Sequence, residues 1–157
     1  NKAIMMITYT KGTLKDIDTM QALVAPEVKS GIILERNNDE IATNIRSYIL
    51  AKEAGVLIGF GALHFHTKEL GEVRSLIVSD KARGKGVGKN IVNTILEEAA
   101  ALEAKKVFAL TYKKAFFETL GFVEIPKEDL PANKVWTDCI KCKFFPICDE
   151  IALIKNI

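Results

Sequence analysis

A glycine-rich segment with three cationic side chains is the part of this 157-residue sequence whose composition best suits ligand binding. It lies between an apolar, strand-like run, Val73 to Val78, and a long amphipathic helix pattern. Glycines at alternate positions let the backbone approach a ligand and point several N–H groups the same way. The following helix adds unpaired N–H groups and a partial positive charge. The segment therefore predicts a pyrophosphate site, and its residues are Arg83, Gly84, Lys85, Gly86, Val87, Gly88 and Lys89.

Spacing excludes the two common nucleotide-binding motifs from this segment. The dinucleotide fingerprint requires a glycine three residues after Gly86, where the sequence has Lys89. The P-loop pattern requires a glycine at the position of Arg83 and a Ser or Thr at the position of Asn90. The predicted ligand is therefore a pyrophosphate of another kind.

The patterns around the glycine-rich segment predict a mixed α/β chain. Periodicity and turn residues predict four helices. The first begins after Thr13, an N-cap that is followed three residues later by Asp16. The second covers Asp39 to Arg46, the third follows the glycine-rich segment, and the fourth covers Ala115 to Leu120. Pro26 and Gly31 are expected to bracket a break. The predicted strands are Ile4 to Tyr9, Tyr48 to Glu53, Val56 to His66, Val73 to Val78, Val107 to Thr111, Phe122 to Ile125 and Glu150 to Ile154.

Two motifs in this order of elements resemble the GNAT acetyltransferase superfamily. One is Arg-Gly-x-Gly-x-Gly after a strand that ends Leu-Ile-Val-Ser-Asp, and the other is the run from Phe116 to Phe122. The resemblance implies an α/β fold with a mixed central sheet of about six to seven strands, a splayed strand pair and flanking helices. It implies a single domain over residues 1–157, in which 126–157 form a substrate-side loop and a terminal strand. It also implies acetyl-CoA as cosubstrate.

The same resemblance implies how the donor is held. The glycine-rich segment would bind the pyrophosphate of CoA, and Leu76, Ile77 and Val78 would present a backbone edge to the pantetheine arm. In the family this strand splays away from the next one, here Val107 to Thr111. A backbone N–H near Ile77 would face the thioester oxygen, which is the logic of an oxyanion hole.

Acetylation of an amine also requires a base, and Glu72 is our prediction for it. Glu72 lies six residues before Val78, where several GNAT members carry a base glutamate. Strand alternation would place Glu72, Arg74 and Leu76 on one face. His64 and His66, which share a face of the neighbouring strand, are competing bases.

The general acid of the family cannot be carried over to this sequence. The position of the family's late tyrosine is Phe117, and Leu110 stands where a helper asparagine is common. Tyr112, at the end of its predicted strand, is the substitute candidate. CoA thiolate can also leave without an acid, because thiolates are good leaving groups.

The acceptor is suggested by a narrower resemblance, to small amino-acid N-acetyltransferases of the N-acetylglutamate synthase type. It rests on Leu34 to Arg36, Gly71 to Leu76, Leu130 to Trp136 and the tail up to Glu150. Glutamate carries two carboxylates, which guanidinium and ammonium groups bind well. The implied substrate-binding residues are Arg36, Arg74 and Lys134, and the implied process is arginine biosynthesis. Alternatives left open are another amine, such as glutamine, a polyamine or a protein N-terminus, and a catalytically silent acyl-CoA-binding regulatory module.

Composition and charge restrict the binding partners and the cellular compartment that the sequence predicts. A net charge of +2 gives no basis for nucleic-acid or membrane binding, and no apolar run reaches transmembrane length. The absence of an export signal favours a cytoplasmic protein, and a homodimer stays open. Cys139, Cys142 and Cys148 could hold zinc with a fourth ligand, but one Cys-x-x-Cys pair with a single cysteine more often packs as reduced thiols. We therefore expect no metal.

Overall fold

The described part of the chain forms a mixed seven-stranded sheet with four α-helices. A computed structural model describes residues 6–131 and 150–157. The strands are β1 (Ile7–Lys11), β2 (Tyr48–Glu53), β3 (Val56–Phe65), β4 (Leu70–Val78), β5 (Lys106–Thr111), β6 (Val123–Ile125) and β7 (Ile151–Asn156). The helices are α1 (Ile17–Ser30), α2 (Asn38–Thr43), α3 (Val87–Ala101) and α4 (Lys114–Thr119). The predicted fold class is confirmed, and the observed bounds differ from the predicted ones by a few residues.

The strand order in the sheet is β1-β2-β3-β4-β5-β7-β6. β1 with β2, β2 with β3, β5 with β7 and β6 with β7 are antiparallel, whereas β4 and β5 are parallel. The β2–β3 hairpin turns at Ala54 and Gly55, whose φ angles are 52° and 78°. Two successive positive φ angles are typical of the tight turn that this dipeptide predicted.

The parallel register between β4 and β5 is short. It covers three residue pairs, from Leu70 opposite Lys106 to Glu72 opposite Phe108. Both strands continue beyond the last of these pairs, β4 to Val78 and β5 to Thr111. This pattern matches the splayed strand pair that the family resemblance implied.

The chain divides into two compact units. One comprises residues 6–62 and 75–95, and the other 63–74, 96–131 and 150–157. The core of the first unit is a cluster of buried residues from α1, α2 and strands: Ile17, Met20, Val24, Ile41, Tyr48, Leu50, Leu57, Phe60, Ala62 and Ile77. The second unit is closed by aromatic contacts, in which the Phe117 ring lies 5.1 Å from the rings of both Phe116 and Phe122.

Local capping signals start α2 and the short 3-10 turn, Leu14–Asp16, that leads into α1. The Asp16 carboxylate accepts a hydrogen bond from the Thr13 N–H at 2.8 Å, and the Asn37 side chain accepts from the Glu40 N–H at 2.9 Å. Partial burial works to raise the pKa of Asp16, but hydrogen bonds from Lys52 and Thr13 outweigh it and lower that pKa below its ordinary value.

The expected break at Pro26 is wrong, because α1 continues through Pro26 to Ser30. The missing Pro26 N–H removes one helical hydrogen bond, but the buried Met20 and Val24 hold the preceding turns in the core. The helix ends instead at Gly31, which has φ 81° and donates its N–H to the Val28 carbonyl.

Two glycines of β3 let α3 pack closely on the sheet of the first unit. A Cβ at Gly59 would lie 2.8 Å from the Ile77 carbonyl oxygen and 3.3 Å from Val87 Cγ1. A Cβ at Gly61 would lie 3.0 Å from Ile91 Cγ2. Because these two positions carry no side chain, the helix that follows the glycine-rich segment can lie close against the sheet.

We expect Gly59→Ala to lower the free energy of unfolding by about 1–3 kcal/mol, because the new methyl group would overlap a backbone oxygen that cannot rotate away. Urea denaturation measures this. Gly12→Ala is the matched control, since its Cβ would meet only the side-chain ends of Leu50 at 3.1 Å and Ile45 at 3.2 Å. An equal cost at both positions would contradict the backbone overlap as the cause.

Candidate active site

The glycine-rich segment forms the connection between β4 and α3, as its sequence predicted. Gly84 and Gly86 have φ angles of 84° and 74°, and a Cβ at either position would meet nothing within 4 Å. The hydrogen-bond ladder of α3 begins with the Asn90 N–H, which donates to the Gly86 carbonyl at 3.0 Å. The N–H groups of residues 87–89 precede that first bond, which is where helices bind anions.

Carboxylates accompany two of the cations in this segment. Arg83 Nε lies 3.1 Å from Asp80 Oδ1, and Lys85 Nζ lies 3.1 Å from Glu53 Oε1. Exposed pairs of this kind contribute little to stability, so a phosphate can replace the carboxylate at small cost. The segment therefore fits a bound pyrophosphate in both backbone geometry and charge.

Ser75 interrupts β4 next to the predicted donor-binding residues. Its φ angle is 56°, a left-handed conformation that is uncommon for a residue other than glycine. Such a residue inside a strand is typical of a bulge, which turns the following side chains to the other face. Nothing in the residue types predicts this feature, because serine carries no preference for that conformation.

The expectation that Leu76 shares a face with Glu72 and Arg74 is wrong. A Cβ at Gly71 would lie 3.0 Å from Leu63 Cδ1, so Gly71 and Leu63 face the same side of the sheet. Gly61, two residues before Leu63 on β3, faces that side as well, and Glu72, next to Gly71, faces the other side. A Cβ at Gly61 would lie 3.3 Å from Leu76 Cδ1, which places Leu76 opposite Glu72. The bulge is the physical reason, since it breaks the alternation of the strand.

The side chain of Ile77 packs in the apolar core, so only the backbone of this residue could contact a ligand. Its side chain is 6% exposed and belongs to the apolar cluster of the first unit. The neighbouring Leu76 and Val78 are partly buried. The predicted donor-binding role of these three residues would therefore rest on main-chain groups.

A pocket in the first unit contains Arg36. Its other lining is mostly apolar, with Ser75 at one side, and the lining residues are Gln21, Val24, Val28, Ile33, Leu34, Arg36, Ile41, Tyr48, Phe60 and Ser75. Gln21 Nε2 donates to the Arg36 carbonyl at 2.8 Å and to Asn38 Oδ1 at 3.1 Å, which fixes the segment before α2. Sequence reasoning identified Arg36 but missed the aromatic and apolar walls, which lie in ordinary strand and helix patterns.

Glu72 lies in a buried polar cluster of the second unit. His66 Nε2 is 2.8 Å and Arg74 Nη2 is 3.3 Å from the same oxygen, Glu72 Oε1. The side chains of His66, Glu72 and Arg74 are 1%, 2% and 12% exposed. Sequence reasoning named all three residues separately, but strand alternation could not predict that a carboxylate and two basic groups share one buried site.

The remaining predicted residues fall in different places. Tyr112 follows β5 and is 43% exposed. Lys134 and the cysteines Cys139, Cys142 and Cys148 lie outside the described residues, so their predicted roles stay predictions. Among the described helices, none is both long and apolar enough to cross a membrane.

Comparison with known proteins agrees with this geometry. The model of the Acetyltransferase (GNAT) family matches residues 17–122, which span both sequence motifs. The chain belongs to the GNAT acetyltransferase family. As a GNAT enzyme it is an N-acetyltransferase, and its acyl donor is acetyl-CoA. The predicted family, enzyme class and cosubstrate are thereby confirmed.

Individual GNAT relatives are similar to different extents. An uncharacterized N-acetyltransferase of Chlorobaculum tepidum is 35% identical over 144 residues, which is 92% of each chain. An amino-acid acetyltransferase of Mycobacterium tuberculosis is 35% identical over 97 residues, which is 60% of this chain and 56% of the relative. The chain thus spans little more than half of that relative.

A solved structure shows the same fold. N-acetylglutamate synthase from Neisseria gonorrhoeae, complexed with coenzyme A and N-acetyl-glutamate, has a TM-score of 0.85 to this chain at 23% identity. The match covers 99% of this chain and 36% of the synthase chain. The likeness therefore concerns the part of the synthase that corresponds to a GNAT fold.

Proposed function

We propose that this GNAT enzyme transfers the acetyl group of acetyl-CoA to the α-amine of L-glutamate. The observation that carries the acceptor assignment is the presence of Arg36 among the lining residues of an otherwise mostly apolar pocket beside Ser75. A carboxylate bound there would gain a charge-assisted hydrogen bond, and the apolar walls would cover the methylene groups of the side chain. The names of the amino-acid acetyltransferases and the glutamate product in the gonococcal structure support this choice.

The donor would be held by main-chain groups at two places. The N–H groups at the start of α3, with Arg83, Lys85 and Lys89, suit the pyrophosphate of CoA. The backbone of Leu76 to Val78 suits the amide-bearing pantetheine arm, and a backbone N–H near Ile77 would stabilise the oxyanion of the tetrahedral intermediate. The bulge at Ser75 supports this proposal, because it redirects the backbone groups that follow it.

The reaction itself would need one proton acceptor. The amine nitrogen attacks the thioester carbonyl carbon, the carbon–sulfur bond breaks, and the electron pair leaves on the CoA sulfur. The proton that the amine loses would pass to the buried pair of Glu72 and His66. Tyr112, which is 43% exposed, is the candidate that would return a proton to the thiolate.

The contact between Arg74 and Glu72 supports another role for Arg74 than the one the sequence resemblance implied. Its guanidinium lies against Glu72, so its positive charge offsets a buried carboxylate. We therefore propose Arg36 as the main carboxylate ligand and Arg74 as the counter-charge of Glu72. Lys134 stays a predicted second ligand.

Free-thiol release from acetyl-CoA tests the function directly. The assay compares L-glutamate with D-glutamate, L-glutamine, L-aspartate and a polyamine, and mass spectrometry identifies the product. We expect the highest kcat/KM for L-glutamate, with N-acetyl-L-glutamate as product. Release that depends on glutamine or a polyamine but not on glutamate would overturn the acceptor assignment. Growth of an arginine auxotroph that lacks N-acetylglutamate synthase would test the proposed place in arginine biosynthesis.

Arg36→Gln is expected to raise the KM for glutamate about tenfold and to leave the KM for acetyl-CoA unchanged. The reason is the loss of a charge-assisted hydrogen bond, which contributes about 1.5–3 kcal/mol. Steady-state kinetics with each substrate varied in turn measure both constants. Arg46→Gln is the matched control, because Arg46 is an exposed arginine outside the pocket. Equal effects of the two substitutions would refute a specific role for Arg36.

A further inference from the structure

Gln21 is a polar residue on an apolar face of α1. Val24 and Val28 follow it three and seven residues later, and all three residues line the pocket that contains Arg36. Positions at this spacing share one face of a helix. Gln21 is partly buried there, and a polar side chain in such a place costs free energy unless its groups form hydrogen bonds. The partners of Gln21 therefore indicate why a glutamine can occupy this face.

The Gln21 amide nitrogen donates to two oxygen atoms near the start of α2. Nε2 lies 2.8 Å from the Arg36 carbonyl oxygen and 3.1 Å from Asn38 Oδ1. A backbone carbonyl can only accept hydrogen bonds, so the group that faces it must be the NH₂ group of the amide. That group carries two hydrogens, which matches the two acceptors. Both hydrogens are thus bound within the protein, and neither is left to bind a carboxylate.

Other hydrogen bonds hold the two ends of the segment between α1 and α2. At its start, the Ile32 N–H donates to the Glu27 carbonyl of α1 at 2.9 Å. At its end, the Asn37 side chain caps α2. The bond from Gln21 to the Arg36 carbonyl lies between these two points. Because α1 also forms one wall of the pocket, this bond fixes the main chain of Arg36 relative to that wall.

The place of the Arg36 main chain matters because an arginine side chain is long and rich in rotamers. A ligand binds more tightly to a group that is already held in its binding position, since less conformational freedom is lost on binding. Without the Gln21 bonds, the segment would have to be ordered when the ligand arrives. The affinity for the ligand would fall, although no group that contacts it had been removed.

We infer that Gln21 is a positioning residue for the acceptor: its amide holds the Arg36 main chain in place before the acceptor carboxylate binds. This inference rests on the proposed function, in which Arg36 binds that carboxylate. Gln21 acts through Arg36 and contributes no contact of its own to either substrate. Its loss should therefore raise the KM for the acceptor and leave kcat and the affinity for CoA unchanged.

Gln21→Met tests this role, because methionine is unbranched and a good helix former but has no hydrogen-bond donor. We expect the KM for glutamate to rise about three- to tenfold, as for the loss of neutral hydrogen bonds, with kcat within about twofold of the wild type. Ala22→Met is the matched control, since it adds the same side chain at an exposed position of α1 and should keep the wild-type KM. An unchanged KM in Gln21→Met, or an equal rise in both variants, would overturn the inference.

A double-mutant cycle shows whether Gln21 acts through Arg36. In an Arg36→Gln background, Gln21→Met should change the KM for glutamate by less than about twofold, because the group that Gln21 positions has been removed. A rise as large as in the wild-type background would mean that Gln21 acts on the acceptor independently of Arg36, which would overturn the inference.

A third measurement does not depend on the acceptor. Hydrogen–deuterium exchange with mass spectrometry reports how readily the segment between α1 and α2, residues 31–37, opens. We expect faster exchange there in Gln21→Met than in the wild type or in Ala22→Met, and equal exchange over α3 in all of them. Unchanged exchange in Gln21→Met would overturn the inference. If exchange rises as expected but the wild type does not acetylate glutamate, the proposed acceptor fails and the role of Gln21 in holding Arg36 stands.

Discussion

Glu72→Gln is expected to lower kcat by about 10²–10⁴-fold while leaving the affinity for CoA unchanged. The substitution keeps the shape of the side chain, and its amide oxygen can still accept a hydrogen bond from His66. It removes the negative charge that offsets Arg74 and that lies 2.8 Å from His66 Nε2. Steady-state thiol release gives kcat, and titration calorimetry with CoA gives the affinity.

Glu69→Gln is the matched control for this experiment. Glu69 is exposed and precedes β4 directly, so the same chemical change is made three residues earlier without touching the buried cluster. We expect its kcat to equal that of the wild type. If Glu72→Gln also kept the wild-type kcat, the buried cluster would have no part in the reaction.

Gly86→Val is expected to raise the dissociation constant of CoA about 10- to 100-fold, which corresponds to about 1.4–2.8 kcal/mol. Gly86 has φ 74°, a conformation that strains any branched side chain, and the space beside it is open. The new side chain would fill the open space beside residue 86, where we propose that the pyrophosphate of CoA binds. Titration calorimetry with CoA measures the change.

Gly55→Val is the control that separates the effect of backbone strain from an effect on CoA binding. Gly55 has φ 78°, and a Cβ there also meets nothing within 4 Å, but it lies in the β2–β3 hairpin. Both substitutions should therefore cause a similar loss of stability in urea denaturation. CoA affinity should fall in Gly86→Val alone, and an equal fall in both would show that general destabilisation is the cause.

Local backbone chemistry explains why much of the fold was predictable. The β2–β3 hairpin, the start of α3 and the end of α4 each depend on a glycine, which adopts positive φ easily: Gly55, Gly86 and Gly121. Buried strands such as β5 have a continuous apolar centre, here Val107 to Leu110, and are recognised from a few residues. These signals act within a short window, so no knowledge of the tertiary structure is needed.

Features that depend on tertiary contacts escaped prediction. Pro26 would end many helices, yet the burial of Met20 and Val24 keeps α1 helical around it. The sequence around Ser75 reads as an unbroken strand, because the energy that maintains its unusual φ comes from the surrounding structure. The position of Leu76 was predicted wrongly for the same reason.

The candidate site was predicted residue by residue but not as an arrangement. Glu72, His66 and Arg74 were each identified, but as a base, a competing base and a substrate ligand. The structure gives them one shared oxygen atom, Glu72 Oε1. Burial and hydrogen-bond geometry decide such roles, and neither can be read from the residue types along one strand.

The left-handed conformation at Ser75 also determines which side chains of the following strand segment can enter the core. If Ser75 took an ordinary extended conformation with the chain length unchanged, every residue after it in β4 would exchange faces. Ile77 would then leave the apolar core of the first unit, and Leu76 would take its place. The core of that unit therefore depends on one backbone angle as well as on apolar side chains.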